Sequence, residues 1–287
     1  MRKVITIIAV ILFFTCSYAH DTRPYVPKPD GAKGVVFYYK NIGGNTLYSD
    51  GKKVTDDFDV SGNLLIIRPI YYFNIFGKTA TLQAFIPVGE KSIKGAAVGG
   101  KKYESKGVAD ITVIGGVWSV NKPEQQLWIG HSIYLTLPVG DYDNSNITAA
   151  NLGENRYKVK LELGAEKGFG QFQISGAASI DIYGDNDEYN PYKAKLEQKN
   201  GYNAETHFSY VTTNRFIYSL DYYYKGGAET KENGVENSDK LSTHSLQGEI
   251  GYIITPKDTL FLHYMKDIDV KNGPKLDTIT LSYGHIF

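Results

Sequence analysis

The chain has 287 residues, 31 basic and 31 acidic side chains, one cysteine, and a heavy load of 23 tyrosines, 13 phenylalanines and 30 glycines. Balanced charge gives no field that would draw nucleic acid, and a single cysteine excludes a disulfide framework or a thiolate zinc site. Past residue 19 no apolar run approaches the roughly twenty residues of a spanning helix, which leaves a soluble all-β domain or an outer-membrane β-barrel.

The first element is a secretory signal over residues 1–19. Arg2 and Lys3 supply the positive start, "VITIIAVILFF" the short apolar run, and "SYA" the small residues read by a signal peptidase. A lipoprotein signal acting on Cys16 is disfavoured by the bulky Phe13 and Phe14 before it. Residues 20–34, "HDTRPYVPKPDGAKG", carry three prolines and read as an extended periplasmic tail, with a small plug in a barrel mouth as the alternative. Residues 35–287 then alternate strand-like and turn-like stretches. Twelve strands are expected, at 35–42, 62–73, 79–88, 108–119, 127–138, 156–165, 171–183, 203–212, 216–226, 244–254, 259–267 and 276–287.

The connections carry more information than the strands. "NIFGK", "VNKPEQ", "EKGFG", "TNR" and "TPKD" are short, whereas "GGNTLYSDGKKVTDDFDV" and "GEKSIKGAAVGGKKYESKG" are long and polar, and the two kinds alternate. Such sorting means that the two ends of the strand bundle face different surroundings, as in an outer-membrane barrel with tight periplasmic turns and long outer loops. "FQISGAASIDI" places Phe172, Ile174, Ile180 and Ile182 on one face and Gln173, Ser175, Ser179 and Asp181 on the other. In lipid such strands must close on themselves, because every backbone group has to pair. The expected fold class is therefore an all-β, antiparallel transmembrane barrel of about 12 strands in the bacterial outer membrane. The terminal "LDTITLSYGHIF" ends on Phe287, in the manner of the signal read by the barrel-assembly machinery. Lipid and lipopolysaccharide are the expected surroundings.

If one parity faces lipid, the other lines the lumen. That assigns to the interior Arg68, Asp110, Lys158, Lys160, Glu162, Asp181, Glu205, His207, Asp221 and Glu249, together with Lys40, Lys225 and Asp267. A charge facing hydrocarbon would cost about 2–4 kcal/mol at mid-depth. The same parity holds Ile66, Ile70, Phe85, Trp118, Trp128, Tyr134, Tyr223 and Phe261. No single-sign ladder of the kind that selects phosphate is present. The mixture suits a path for a small, partly apolar solute, or else a salt-bridged filling that seals the barrel and leaves function to the loops.

Catalysis has little support. A barrel-embedded hydrolase would place His and Ser two apart on one strand. Here the pairs His131–Ser132 and His244–Ser245 are adjacent and point to opposite faces. Asp141 and Asp143 begin a calcium-like loop that lacks the glycine at its sixth position and the glutamate at its twelfth. No metal or cofactor is expected.

One stretch has a recognisable cadence. Leu137-Pro138-Val139-Gly140-Asp141-Tyr142-Asp143 closes a strand, and Leu152-Gly153-Glu154-Asn155-Arg156 opens the next. Together with "GVADITVIGGVWSV", "IDIYGDNDEYN" and "GEIGYIIT", this resembles the outer-membrane family named after the meta-pathway of phenol degradation, from about residue 35 to the end. The resemblance implies a barrel of about twelve strands admitting aromatic or other hydrophobic nutrients, with no catalytic residues. The chain departs from the family in carrying Tyr157 where a tryptophan often follows the arginine.

Overall fold

The structure is a computed structural model and describes residues 25–146 and 150–287. The expected signal, Cys16 and the first residues of the tail lie outside the described residues. Twelve long strands form the wall: β1 (Lys33–Ser49), β2 (Phe58–Ile75), β3 (Lys78–Gly95), β4 (Ile111–Lys122), β5 (Leu127–Leu137), β6 (Lys158–Phe169), β7 (Phe172–Tyr183), β8 (Gly201–Val211), β9 (Phe216–Gly227), β10 (Leu241–Thr255), β11 (Asp258–Val270) and β12 (Gly273–Ile286). Each pairs antiparallel with the next, and β12 pairs with β1, so the sheet closes. The seam runs from Gly34↔Ile286 to Tyr48↔Gly273, with a bulge between Gly43 and Thr46. At its foot the Phe287 N–H donates to the Lys33 carbonyl (2.9 Å). Closure leaves no open edge in the hydrocarbon region.

Strand parity divides the two faces as the sequence implies. On β9, Ile217, Ser219, Asp221 and Tyr223 are buried, while Phe216, Tyr218 and Leu220 are exposed. On β12, Thr278, Thr280 and Ser282 are buried against exposed Ile279, Leu281 and Tyr283. The outward aromatics pair near the short-turn end, with Phe172–Tyr210 centroids at 4.7 Å and Phe216–Tyr252 at 4.9 Å. They form part of the girdle expected at a membrane interface. The turn between β2 and β3 is two residues, Phe76 and Gly77, both at positive φ, which matches the right-handed twist of the strands it joins.

The strands outrun their predicted ends on the long-loop side. β1 continues to Ser49 and β3 to Gly95, and the short strands Lys52–Thr55 and Lys102–Val108 extend the wall further. The cause is a small core above the barrel. Leu47, Phe58, Val60, Ile93, Val98 and Ala150 pack together, each nearly or wholly buried. In sequence these apolar residues are interleaved with charges, so the segment reads as a polar loop.

Candidate functional site

The bore is not uniform. Its long-loop half holds a cavity of about 210 Å³. Of the interior residues picked from parity, Lys40, Lys158, Lys160, Glu162, Asp181, Glu205, Lys225 and Asp267 line it. Tyr134 and Tyr223 stand beside them, and Ile42, Leu64 and Leu276 supply an aliphatic wall. Three of the carboxylates accept hydrogen bonds from neutral donors. Asp181 accepts from Asn203 Nδ2 (2.8 Å), and Asp267 from Ser245 Oγ (2.6 Å) and the Leu276 N–H (2.9 Å). Glu162 accepts from the Tyr134 hydroxyl (2.9 Å).

Arg68 sits apart from the cavity. Its guanidinium donates to Gln83 (2.8 Å) and to the Tyr38 hydroxyl (3.0 Å), and lies 5.0 Å from the Phe85 ring centre. His207, Asp221 and Glu249 belong to a packed polar layer nearer the short-turn end. His207 is within ion-pairing distance of Asp221 (3.1 Å) and Glu205 (3.4 Å). Gln247 Nε2 donates to Asp221, the Tyr223 hydroxyl and Glu249. His263, which the sequence reading passed over, approaches Glu249 at 3.1 Å. Buried polar groups placed in mutual contact stiffen a site and leave little room for solute.

The described part of the tail takes the place of the small plug that is its alternative reading. From Tyr25 onward it enters the barrel at the short-turn end. The Tyr25 side chain is 3% exposed and packs with Trp118 and Trp128. Trp118 Nε1 donates to the Tyr25 carbonyl (2.7 Å), the Tyr25 N–H donates to Glu166 (3.2 Å), and its hydroxyl donates to Glu162 (3.2 Å). The seat is carved by glycines. Gly130 and Gly164 are direct cross-strand partners, and a Cβ on Gly164 would fall 1.9 Å from Tyr25 Cζ. Two lumen-facing glycines side by side are the signal that would have revealed the seat, because interior glycine in a strand marks a close approach by another group.

Asp110 is also relocated. It was expected on a strand at 108–119 but lies just before β4, at the long-loop rim. Its oxygens accept the N–H of Gly140 (2.9 Å) and of Glu154 (2.7 Å). A side chain on Gly140 would collide with Asp110, and one on Gly153 with the Gly140 carbonyl. Asn186 Nδ2 ties the same region by donating to the Tyr142 hydroxyl (3.0 Å) and the Glu154 carbonyl (3.1 Å). Arg156, buried at 2% exposure, donates to Glu154 (2.8 Å) and to Gln198, and lies 4.9 Å from the Tyr183 ring centre. The Pro-Val-Gly-Asp-Tyr and Gly-Glu-Asn-Arg cadence is thus a clasp across the outer rim. Burial raises the Asp110 carboxyl against the lowering effect of its two N–H donors. For Glu154 burial also pushes upward, but Arg156 and Lys158 outweigh it and hold the carboxyl below its ordinary value.

Ser282 Oγ lies 3.2 Å from His263 Nε2, and His263 Nδ1 3.1 Å from Glu249, the order of a serine triad. Neither Ser282, His263 nor Glu249 borders the cavity. The nearby strand amides are committed to the ladder, so they supply no oxyanion hole. His131 instead meets Ser119 Oγ on the outer face (2.9 Å), and His244 meets the Tyr222 hydroxyl (2.6 Å). Asp141 and Asp143 take backbone N–H groups of Val108 and Ser145, and no metal-holding cluster exists among the described residues.

The comparisons agree with this architecture. The COG4313 outer membrane channel from Pseudomonas putida F1 shares 28% identity over 94% of this chain and 100% of that chain, with a TM-score of 0.87. At 8% identity, the transport unit of the Escherichia coli autotransporter AIDA-I covers 99% of this chain and 96% of its own, with a TM-score of 0.54, and shows the fold alone. The same holds for the translocator domain of NalP from Neisseria meningitidis, at 10% identity, 91% and 90% coverage, and a TM-score of 0.53. No curated protein sequence matches. A twelve-stranded closed barrel of this likeness is an outer-membrane protein, and with the model described as "Putative MetA-pathway of phenol degradation" matching residues 43–283, the chain belongs to that family.

Proposed function

We propose that this barrel is a passive outer-membrane channel for small aromatic or other hydrophobic solutes. A single observation carries the reading: the long-loop half of the bore holds a cavity whose wall combines tyrosines and aliphatic side chains with ammonium and carboxylate groups. Such a lining accepts a flat ring on one side and its polar substituent on the other. The solute enters from the loop side, rests in the cavity, and leaves past the seated tail. The family and the Pseudomonas putida channel support passage over catalysis. The signal is cleaved after Ala19, so that the mature chain starts at His20 and the tail is free to enter the bore. Phe287, exposed on the outer face at the foot of the seam, is offered to the assembly machinery, and lipopolysaccharide surrounds the loop-side rim.

A sealed barrel acting through its loops is the second reading, favoured by one contact set: Tyr25 in its glycine seat, which closes the bore from below. Planar-bilayer recording of the refolded mature protein separates the two, followed by flux of phenol and benzyl alcohol into proteoliposomes. Discrete conductance steps and flux above that of protein-free vesicles are expected. Silence from protein shown to be folded, with the tail intact and also with it removed, would establish the sealed barrel.

A further inference from the structure

The bore already holds one phenol, and it belongs to the chain itself. The Tyr25 side chain is the equivalent of 4-methylphenol, and the wall is shaped around it. Trp118 of β4 and Trp128 of β5 pack with the ring. Gly130 of β5 and Gly164 of β6 leave the space that it fills. A Cβ on Gly164 would lie 1.9 Å from Cζ and 2.2 Å from the hydroxyl oxygen, and one on Gly130 would lie 3.3 Å from Cδ1. The hydroxyl donates to Glu162 Oε1 (3.2 Å), which also accepts from the Tyr134 hydroxyl (2.9 Å).

The backbone of Tyr25 is held separately from its ring. Its carbonyl accepts from Trp118 Nε1 (2.7 Å), and its N–H donates to Glu166 (3.2 Å). Recognition of the phenol is therefore separable from anchoring of the tail. The seat also shares a wall with the cavity above it. Ala177 packs against the cluster of Tyr25 and the tryptophans, and both Ala177 and Glu162 line the cavity. A solute resting in the cavity thus reaches the carboxylate that holds the Tyr25 hydroxyl. A packed interior emptied of one ring takes up a free ring, and a buried acceptor that loses a donor favours a replacement.

We propose that the Tyr25 seat is a binding site for a free phenol, and that the tail is a tethered occupant which such a solute displaces. The solute's ring takes the place of the Tyr25 ring beside Trp118, Trp128 and Gly164, and its hydroxyl donates to Glu162 Oε1. This rests on the reading of the barrel as a channel for aromatic solutes and narrows it to rings that carry a free hydroxyl. Tethering sets the terms of the competition. A short linker holds its ligand at an effective concentration on the order of millimolar, so a free phenol displaces the tail only as it approaches that concentration. Toluene fills the same space but brings no donor to Glu162.

The test is calorimetric titration of the folded mature protein and its Tyr25→Ala variant with 4-methylphenol and with toluene, against a background of protein-free detergent. Tyr25→Ala should bind 4-methylphenol about tenfold or more tightly than the unaltered protein does, and about tenfold more tightly than it binds toluene. Tyr25→Phe keeps a ring in the seat and loses the hydroxyl, so its affinity for 4-methylphenol should fall between those two proteins. Gly164→Ala added to Tyr25→Ala places its Cβ where the ring sat and should abolish the gain. In Tyr25→Ala, 4-methylphenol should also return the tryptophan emission toward the blue, because a ring again covers Trp118 and Trp128. Heat-modifiable gel mobility checks that each variant is folded. Equal affinity of Tyr25→Ala, Tyr25→Phe and the unaltered protein, or a gain that survives Gly164→Ala, would overturn the proposal. The channel reading fails separately, if no phenol crosses proteoliposomes even where calorimetry shows the seat occupied.

Discussion

The two halves of the bore are built on opposite rules. Toward the short turns, Tyr25, Trp118, Trp128, His207, Gln247 and His263 fill the bore, with Gln247 and the two histidines set against buried carboxylates. Toward the long loops, the wall stays apart around a cavity lined by charges of both signs. Both halves come from the same strands at the same parity. What differs is the filler. Below, the chain supplies its own, in the form of the tail. Above, none of the described residues fills the space. On the channel reading proposed above, resistance to passage is expected at the tail and selection in the cavity above it.

The largest effect should follow from emptying the lower half. Removing a buried aromatic costs roughly 3–5 kcal/mol, and every 1.4 kcal/mol is tenfold in an equilibrium. Tyr25→Ala should therefore move the balance of seated and unseated tail by at least a hundredfold, and single-channel conductance should rise severalfold. Conductance unchanged in Tyr25→Ala would place the resistance elsewhere. Gly164→Ala should do the same without touching the tail, since its Cβ would lie 1.9 Å from Tyr25 Cζ. Trp118 and Trp128 are the chain's two tryptophans, and both pack on Tyr25. Emission should shift to the red in either variant as water reaches the indoles, and a spectrum left in place by Gly164→Ala would show that the ring had not moved.

The same contrast explains what could be read in advance. Barrel, strand number and facing were legible because hydrocarbon imposes a period of two on every strand, and β7 and β9 follow it residue by residue. The interior contacts were not legible. Parity puts Lys160 and Asp181 on one face, but not that Asn203 takes the carboxylate and Tyr134 the ammonium. Tyr25 lies more than a hundred residues from Glu162 and Glu166 in sequence, and a proline-rich tail has no periodicity that points inward. Asp110 was misplaced because its neighbours Ala109 and Ile111 continue the alternation of a strand, while its own oxygens are spent on loop amides.

At the outer rim the effects are smaller and concern order more than passage. Arg156→Gln should leave the half-buried Glu154 without its cation, at a cost of about 2 kcal/mol, below that of breaking a fully buried pair. It should expose the segment between β5 and β6 to external protease while gel mobility of the barrel stays the same. Equal protease resistance would mean that Asp110 and Asn186 hold the clasp alone.

The smallest effect is its response to acid. Glu154 is held below its ordinary value of 4.5 by Arg156 and Lys158 against the opposing effect of burial. A carboxyl whose folded value is depressed contributes stability above its unfolded value and loses it as pH falls through the folded one. Asp110 works the other way, since burial raises it above 3.8. Its protonation on acidification favours the folded clasp. Protease resistance of the rim should thus be flat from pH 7 to about pH 5 and fall only at lower pH, once Glu154 is protonated. In Arg156→Gln the carboxyl has lost its main cation, so the acid-dependent fall should shrink or vanish. A variant that retains the full fall would assign the titration to another group.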